Sequence, residues 1–339
     1  MEERNSVNFF FSVYTACILL SDEWAKGKLE ETMEKIFKDN RYKSILAMFC
    51  ALGWSLAYPL IKIGYGEFQI DSGDLGGKIL FAGIRFFFAG ILVWGFCTFQ
   101  KPKQEKMQKN GYVWLFLLAV TNTTLHYMFA YIGLGYNTSA RSTILDSMGG
   151  FFLIILSTIL FSDDKIAVSK VLGCVLGMSG ILAINLQPGV DFFENITFMG
   201  DGMILLNASC GAVGGVVTRV VSKKMPIMQA TGQSMMLGGF LLLVIGFVVG
   251  TKSSWNICVK GILVLIGLIL ISAVCFAVYN ELLSYHPISK VAIYNALIPV
   301  LGVIFAALIL KEQLKWQYFI AVAMVAGGIY LVNRGEENT

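Results

Sequence analysis

The sequence predicts an all-α integral membrane protein with ten transmembrane helices, built as two inverted five-helix repeats behind an extra N-terminal segment. Composition is the first observation behind this fold class, because 56% of the 339 residues are hydrophobic and only 14% are charged. Soluble domains carry about 25% charged residues. The 35 glycines fit the same class, since small residues allow membrane helices to pack closely. The second observation is an internal repeat, described below.

Composition also excludes several functions. The net charge of +4 is too small to indicate a nucleic-acid partner. Seven cysteines are scattered without a C-x-x-C pair, and the two histidines, His126 and His286, lie far apart in the sequence. A zinc-protease motif or a centre of several histidines is therefore absent. We expect neither a metal site nor a catalytic centre.

Ten segments approach the roughly 20 apolar residues that a helix needs to cross the hydrocarbon core. They run from Ser44 to Ile63, Ile79 to Phe99, Tyr112 to Gly133, Ala140 to Phe161, Val168 to Leu186, Gly202 to Val221, Met228 to Val249, Gly261 to Ser284, Ser289 to Leu310 and Trp316 to Val332. Their connections are short, so the sequence predicts no soluble catalytic domain.

Residues 1–43 precede these spans and differ from the rest of the chain. Val7 to Leu20 form an apolar run that is short for a span. The charged stretch that follows has apolar residues at helical spacing: Leu29, Met33, Ile36 and Phe37. This pattern predicts an amphipathic helix that lies on the inner membrane surface. An eleventh span, and Met33 as the natural start, are the alternatives.

Basic residues set the predicted orientation. Lys and Arg are concentrated in alternate connections, and connections rich in them lie in the cytoplasm. These residues are Arg41, Lys43, Lys101, Lys103, Lys106, Lys109, Lys165, Lys223 and Lys224. The sequence therefore predicts a multi-pass protein of the cytoplasmic membrane with both termini in the cytoplasm.

The internal repeat divides the chain into two related halves. Placing Glu312 on Asp164 also places "GGIYLVN" near the C-terminus on the earlier "SGILAIN". The predicted repeats are residues 44–186 and 187–334, with 335–339 as a tail. Because five spans are an odd number, the second half must be inverted relative to the first. Inverted repeats recur in secondary transporters, which bind substrate near the midplane and work by alternating access, so transport is the first functional hypothesis.

Four stretches of sequence carry a resemblance to a known family. They are "ALGWSLAYPLIK" (Ala51 to Lys62), "IRFFFAG" (Ile84 to Gly90), "ISKVAIYNALIPVLGVIFAALILKEQL" (Ile288 to Leu314) and "AGGIYLVN" (Ala326 to Asn333). Over about residues 44 to 334 the chain resembles the ten-span EamA-type members of the drug/metabolite transporter superfamily. The resemblance implies a secondary transporter of small metabolites or drugs, often an exporter, with no dedicated cofactor.

Charged residues within the spans are the first candidates for a substrate site. A charge at membrane depth costs at least about 2.5 to 3.5 kcal/mol, so it should face protein or water. Asp146 lies well inside the fourth span, where it could accept a substrate amine, take up a proton, or form a structural pair with a basic residue. Arg85 in the second span could bind a carboxylate, snorkel toward the membrane interface or pair internally.

Polar and aromatic residues complete the predicted site. Asn122 and His126 are four residues apart and share a helix face, and the corresponding eighth span carries Tyr279. Pro299 should kink the ninth span beside Tyr294 and Asn295. Trp54 and Tyr58 could form an aromatic wall or simply pack. The nine predicted substrate-binding residues are Trp54, Tyr58, Arg85, Asn122, His126, Asp146, Tyr279, Tyr294 and Asn295.

Two other functional classes stay open from the sequence. A lipid-modifying membrane transferase would need clustered acids, and Asp163 with Asp164 is the only adjacent acidic pair in the ten-span core. A cap on the following helix is the simpler interpretation of that pair. A receptor or assembly factor without transport is the third class. The expected partners are a small-molecule substrate and membrane lipid, and the complete two-half design allows a monomer or a homodimer.

Overall fold

The computed structural model describes residues 32–100, 110–161, 168–183 and 196–334. Within these ranges every element of regular secondary structure is helical, which confirms the all-α class. The α-helices are α1 (32–38), α2 (Asn40–Glu67), α3 (Leu75–Gln100), α4 (Gly111–Ala119), α5 (His126–Tyr136), α6 (Ser139–Asp146), α7 (Met148–Leu160), α8 (Val168–Ala183), α9 (Met203–Ser222), α10 (Ile227–Val249), α11 (Val259–Tyr285), α12 (Ile288–Ala292), α13 (Leu297–Leu310) and α14 (Trp316–Arg334).

Within the described ranges, eight stretches of helix are long and apolar enough to cross a membrane. They are Asn40–Glu67, Leu75–Thr98, Gly111–Tyr136, Ser139–Leu160, Phe198–Ser222, Ile227–Val249, Val259–Tyr285 and Lys290–Leu310. The fifth and tenth predicted spans correspond to α8 and α14, whose apolar stretches are shorter, at Val171–Gly180 and Trp316–Gly328. Length and composition thus support eight of the ten predicted spans, and the other two stay predictions.

The fourth and ninth predicted spans are both interrupted. In the ninth, a 3₁₀ turn at Ile293–Ala296 separates α12 from α13. Pro299 explains this break, because it has no amide hydrogen to offer the Asn295 carbonyl one turn earlier. In the fourth, the α-helix stops at Asp146 and restarts at Met148. Since Asp146 corresponds to Tyr294 in the repeat, the two breaks fall at related positions.

Helices α3 and α10 pack in antiparallel fashion with their backbones in contact. Each carries a glycine at every seventh residue: Gly76, Gly83 and Gly90 on α3, and Gly232, Gly239 and Gly246 on α10. A Cβ atom on Gly232 would lie 2.6 Å from the Trp94 amide nitrogen. Small residues at such contacts are what allow membrane helices this close approach. These helices are the corresponding second and seventh spans of the two repeats.

The helix bundle has two ends, named here the near end and the far end. The near end contains Asn40 at the start of α2 and the elbow between α11 and α12. The far end contains the connection before α6, where the Glu312 carboxylate accepts hydrogen bonds from the amides of Ser139 (2.9 Å) and Ala140 (3.1 Å). A residue from the last connection of the second half therefore caps a helix of the first half.

Helix α1 is the described part of the N-terminal extension. Phe37 is only 6% exposed and belongs to the same core cluster as residues of α11 and α12, while Met33 and Ile36 pack partly buried against it. The apolar side of the predicted amphipathic helix thus contacts protein. Its placement on a membrane surface stays a prediction, and Val7 to Leu20 and Leu29 lie outside the described residues.

Candidate functional site

A cavity of about 140 Å³ lies between helices from both halves of the chain. Eight of the nine predicted site residues line it: Trp54, Tyr58, Arg85, Asn122, His126, Asp146, Tyr279 and Asn295. The structure places the ninth, Tyr294, elsewhere. The 3₁₀ turn directs Asn295 to the cavity, whereas the Tyr294 hydroxyl lies 2.5 Å from the Ser44 hydroxyl toward the near end.

Asp146 ends α6 at the helix break and joins a hydrogen-bonded chain. Its carboxylate accepts a bond from the Asn207 side-chain amide, and the Tyr58 hydroxyl lies beside it. The Asn207 backbone carbonyl is 2.9 Å from Nδ1 of His126. Because a carbonyl only accepts, His126 carries its proton on Nδ1. The arrangement links a carboxylate, an amide and an imidazole through one residue, Asn207.

Glycines on α9 make this arrangement sterically possible. A Cβ atom on Gly211 would lie 2.7 Å from Cε1 of His126, and one on Gly214 would lie 2.6 Å from Oδ1 of Asn122. Side chains of the third span therefore lie directly against the α9 backbone. The local polar stretch that predicted Asn122 and His126 as site residues coincides with a π-helical segment, Val120–Leu125, between α4 and α5.

Arg85 is 1% exposed and is held by neutral groups. Its Nε donates to the Leu268 carbonyl at 3.2 Å and to the Ser272 hydroxyl at 2.6 Å, and its Nη1 donates to the Tyr131 hydroxyl at 2.9 Å. The guanidinium also lies over the Phe86 ring, 4.9 Å from its centroid. No carboxylate among the described residues forms an ion pair with it. Neutral groups therefore hold Arg85 in place. The ion pair with an internal acid, which the sequence allowed, is not formed among the described residues.

The cavity thus carries one cation and one anion that are not paired with each other. Tyr58 and Tyr127 lie within the electrostatic reach of both Arg85 and Asp146. The two charges therefore lie around one shared aromatic region. A solute that bears both a positive and a negative group would match this layout.

Aromatic rings form one wall of the cavity and also pack against each other. Trp54 meets Tyr279 edge-on at 4.9 Å between ring centroids and meets Phe276 at 5.6 Å. Tyr127 lies 5.9 Å from the Phe276 ring. Trp54 therefore lines the cavity and also packs against neighbouring rings, and its contact with a substrate stays a prediction. An apolar or ring-bearing part of a solute would contact this surface.

Three buried polar atoms on cavity residues have no hydrogen-bond partner within the part of the chain that the structure describes. They are Oδ1 of Asn207, Oδ1 of Asn295 and Nε1 of Trp54. The Asn295 amide nitrogen is used, because it donates to the Tyr279 hydroxyl at 2.8 Å. Buried polar atoms are almost always paired. These two acceptors and one donor are therefore available to form hydrogen bonds with a ligand.

Sequence reasoning missed three residues of the site: Asn207, Tyr127 and Tyr131. Asn207 is the only side-chain amide in the sixth predicted span and lies four residues before Gly211, so a lone amide next to small residues could have indicated it. Tyr131 hydrogen-bonds Arg85 from four residues beyond Tyr127. That pairing depends on how α3 and α5 pack, which no local pattern reveals.

Comparisons with known proteins agree with this architecture. The sequence profile of the EamA-like transporter family matches residues 42–186 and again 198–334. An uncharacterized transporter of Synechocystis is 29% identical over 272 residues, 76% of this chain and 81% of that protein. A probable amino-acid metabolite efflux pump of Escherichia coli is 22% identical over 303 residues, 86% of this chain and 95% of that protein.

A solved structure shares the fold at 13% sequence identity. Its TM-score is 0.65, and the similarity covers 87% of this chain and 98% of the other. The two matches of one family profile together cover most of the sequence. The chain belongs to the EamA-like transporter family.

Proposed function

We propose that this membrane protein is a secondary transporter that moves a small zwitterionic solute, such as an amino acid or an amine-bearing acid, by alternating access. The observation that carries the proposal is the cavity between the halves, which presents Asp146 and Arg85 without pairing them. A cavity of about 140 Å³ suits a solute of this size class rather than a lipid or a polymer.

The two charges assign the two ends of the solute. An ammonium group can donate to the Asp146 carboxylate and to the partnerless Oδ1 of Asn207. A carboxylate can bind the remaining guanidinium hydrogens of Arg85, since that planar group offers five donors. The rest of the solute would contact Trp54. The name of the Escherichia coli relative, a probable amino-acid metabolite efflux pump, supports the same class of solute.

Orientation and direction belong to the same proposal. Residues 44–186 and 187–334 act as the inverted five-helix units that rock on one another around the cavity. Arg41, Lys43, Lys223 and Lys224 lie at helix ends on the near side, so the near end faces the cytoplasm by the positive-inside rule. Export from the cytoplasm across the cytoplasmic membrane is the proposed direction, with a monomer sufficient for transport.

A membrane enzyme is the weaker proposal. The acidic pair that would favour it, Asp163 with Asp164, lies outside the described residues. The relatives are named as transporters, and the cavity residues Asp146 and Arg85 match the two ends of a zwitterionic solute. We therefore propose that the protein transports its solute unchanged.

Reconstitution in liposomes tests the proposal. Purified protein would be assayed for counterflow of labelled amino acids, with matched analogues that lack either the amino or the carboxyl group, and with or without a pH gradient. Asp146→Asn should abolish saturable flux, and Asp71→Asn, in a far-end turn, is the matched control. Preference for solutes with both charges is expected. Equal flux of the analogues that lack one of the two charged groups, or full activity of Asp146→Asn, would overturn the zwitterion assignment.

A further inference from the structure

Helix α1 precedes the part of the chain that matches the transporter family, which begins at residue 42. It is therefore an addition to the shared fold. It packs at the near end against the elbow that joins α11 to α12, residues 285–288. Phe37 and the elbow residue Ile288 belong to one buried cluster.

One hydrogen bond fastens α1 to this elbow. Nε2 of His286 lies 2.8 Å from the Phe37 carbonyl. Since the carbonyl only accepts, Nε2 carries the proton in this contact. His286 is 7% exposed and Phe37 is 6% exposed, so both partners are shielded. The carbonyl lies in the last turn of α1, where it has no partner within its own helix.

The elbow is held from its other side by α9. Nη1 of Arg219 donates to the His286 carbonyl at 2.5 Å and to the Leu283 carbonyl at 3.3 Å. Leu283 also lines the cavity. Leu283 belongs to the last turn of α11, so the elbow follows directly after a cavity-lining residue and contacts both α1 and α9.

Leu283, two residues before the elbow, lines the cavity and is only 1% exposed, so the near-end wall is closed at this point and opening it there would displace the elbow. The 3₁₀ turn that carries Asn295 into the cavity follows directly after α12. Displacing the elbow would break the bond between His286 and Phe37 and would expose the Phe37 ring. Both changes cost free energy, so they oppose opening of the near end.

We propose that α1 is a built-in strap that holds the near end of the cavity closed, with His286 as its attachment point. The strap slows opening toward the near end, and its release by truncation or by another molecule would speed it. The effect of the strap on transport rests on the proposed function, whereas its effect on access to the near end of the cavity does not.

The test uses Leu283→Cys as a reporter in full-length protein whose seven native cysteines are replaced. Alkylation of this thiol by a membrane-impermeant reagent measures opening of the near end. His286→Leu removes the donor, and His286→Gln is the matched control because its amide can donate from the same place. Losing one hydrogen bond should raise the alkylation rate roughly 2- to 10-fold, and His286→Gln should leave it close to the parent rate.

Two further variants separate strap release from misfolding. Phe37→Ala should raise alkylation by roughly tenfold or more, with Glu34→Gln on the exposed side of α1 as its control. A chain that begins at Asp39 keeps the N-cap of α2, because Asp39 accepts a bond from the Arg41 amide, and should behave like Phe37→Ala. Unchanged alkylation in these monodisperse variants would overturn the strap. Faster alkylation without any flux in the parent would instead reject the transport proposal alone.

Discussion

Replacing Gly232 by alanine should push helices α3 and α10 apart. The ideal Cβ atom would lie 2.6 Å from the amide nitrogen and 2.9 Å from the Cα atom of Trp94. Ordinary van der Waals contact begins near 3.4 Å. Because the obstacle is backbone, no side chain can rotate away, and α3 and α10 must move apart by about 0.8 Å locally. A gap of that size already loses a quarter to a half of each dispersion contact.

The expected loss of stability is about 1 to 3 kcal/mol, the usual range for an overpacked site. Alanine also improves intrinsic helix propensity over glycine by about 0.8 to 1 kcal/mol, so a control is needed. Gly95→Ala provides it, because Gly95 is next to Trp94 on α3 and a Cβ atom there would meet nothing within 4 Å.

Thermal unfolding in detergent, followed by tryptophan fluorescence and by the monomer peak in size-exclusion chromatography, measures both variants. Gly232→Ala should unfold several degrees below the parent, and Gly95→Ala should match or exceed it. If Gly232→Ala were as stable as Gly95→Ala, the backbone contact between α3 and α10 would not be as close as described.

Three further predictions concern charged and titratable groups. Glu281→Gln should raise the unfolding temperature, because Oε2 of Glu281 is buried without a hydrogen-bond partner among the described residues and burying a carboxylate costs more than burying a neutral amide. Heating at pH 8 measures the change, and a lower unfolding temperature would contradict the reasoning. Asp201→Asn should lower the free energy of unfolding by about 3 to 5 kcal/mol, since the Asp201 carboxylate pairs with Nε of Arg141 at 2.6 Å and accepts a hydrogen bond from Asn137 at 3.1 Å. Thermal unfolding measures this loss, and an unchanged unfolding temperature would contradict the prediction. Burial lowers the pKa of His286, and nearby Lys43, Lys290 and Arg219 add to this, while its bond to the Phe37 carbonyl opposes it. The stability from neutral His286 is therefore present above the ordinary pKa of about 6.5 and is lost as the pH falls through the lowered value, so His286→Gln should flatten the acid side of a stability-against-pH curve.

Much of the cavity could be predicted because its residues are conspicuous in apolar surroundings. Asp146 and Arg85 are charged residues within otherwise apolar spans, and charges at that depth must face protein or water. The pair Asn122 and His126 is indicated by helical spacing. The break in the ninth span follows from the missing amide of Pro299, a property of one residue.

What the sequence could not supply depends on contacts between distant segments. Asn207 reaches Asp146 and His126 only because glycines such as Gly211 let the third span approach α9, and that distance is tertiary. Tyr294 was predicted in the cavity, but a change from α-helical to 3₁₀ geometry rotates it toward Ser44. The helix break at Ser147 could not be predicted, because no proline lies near it in the sequence.

The carboxylate of Glu312 has a consequence for how this protein is made. Helix α6 is eight residues long, and isolated helices shorter than about 12 to 15 residues are barely stable. Two of its first amides are satisfied by Glu312, which the ribosome adds 173 residues after Ser139 (312 − 139 = 173). At about 5 to 20 residues per second, α6 and Asp146 would wait on the order of ten seconds or more for that partner. The cavity therefore takes its final form only after Glu312 has been added, and a nascent chain released before that point would lack the cap on α6.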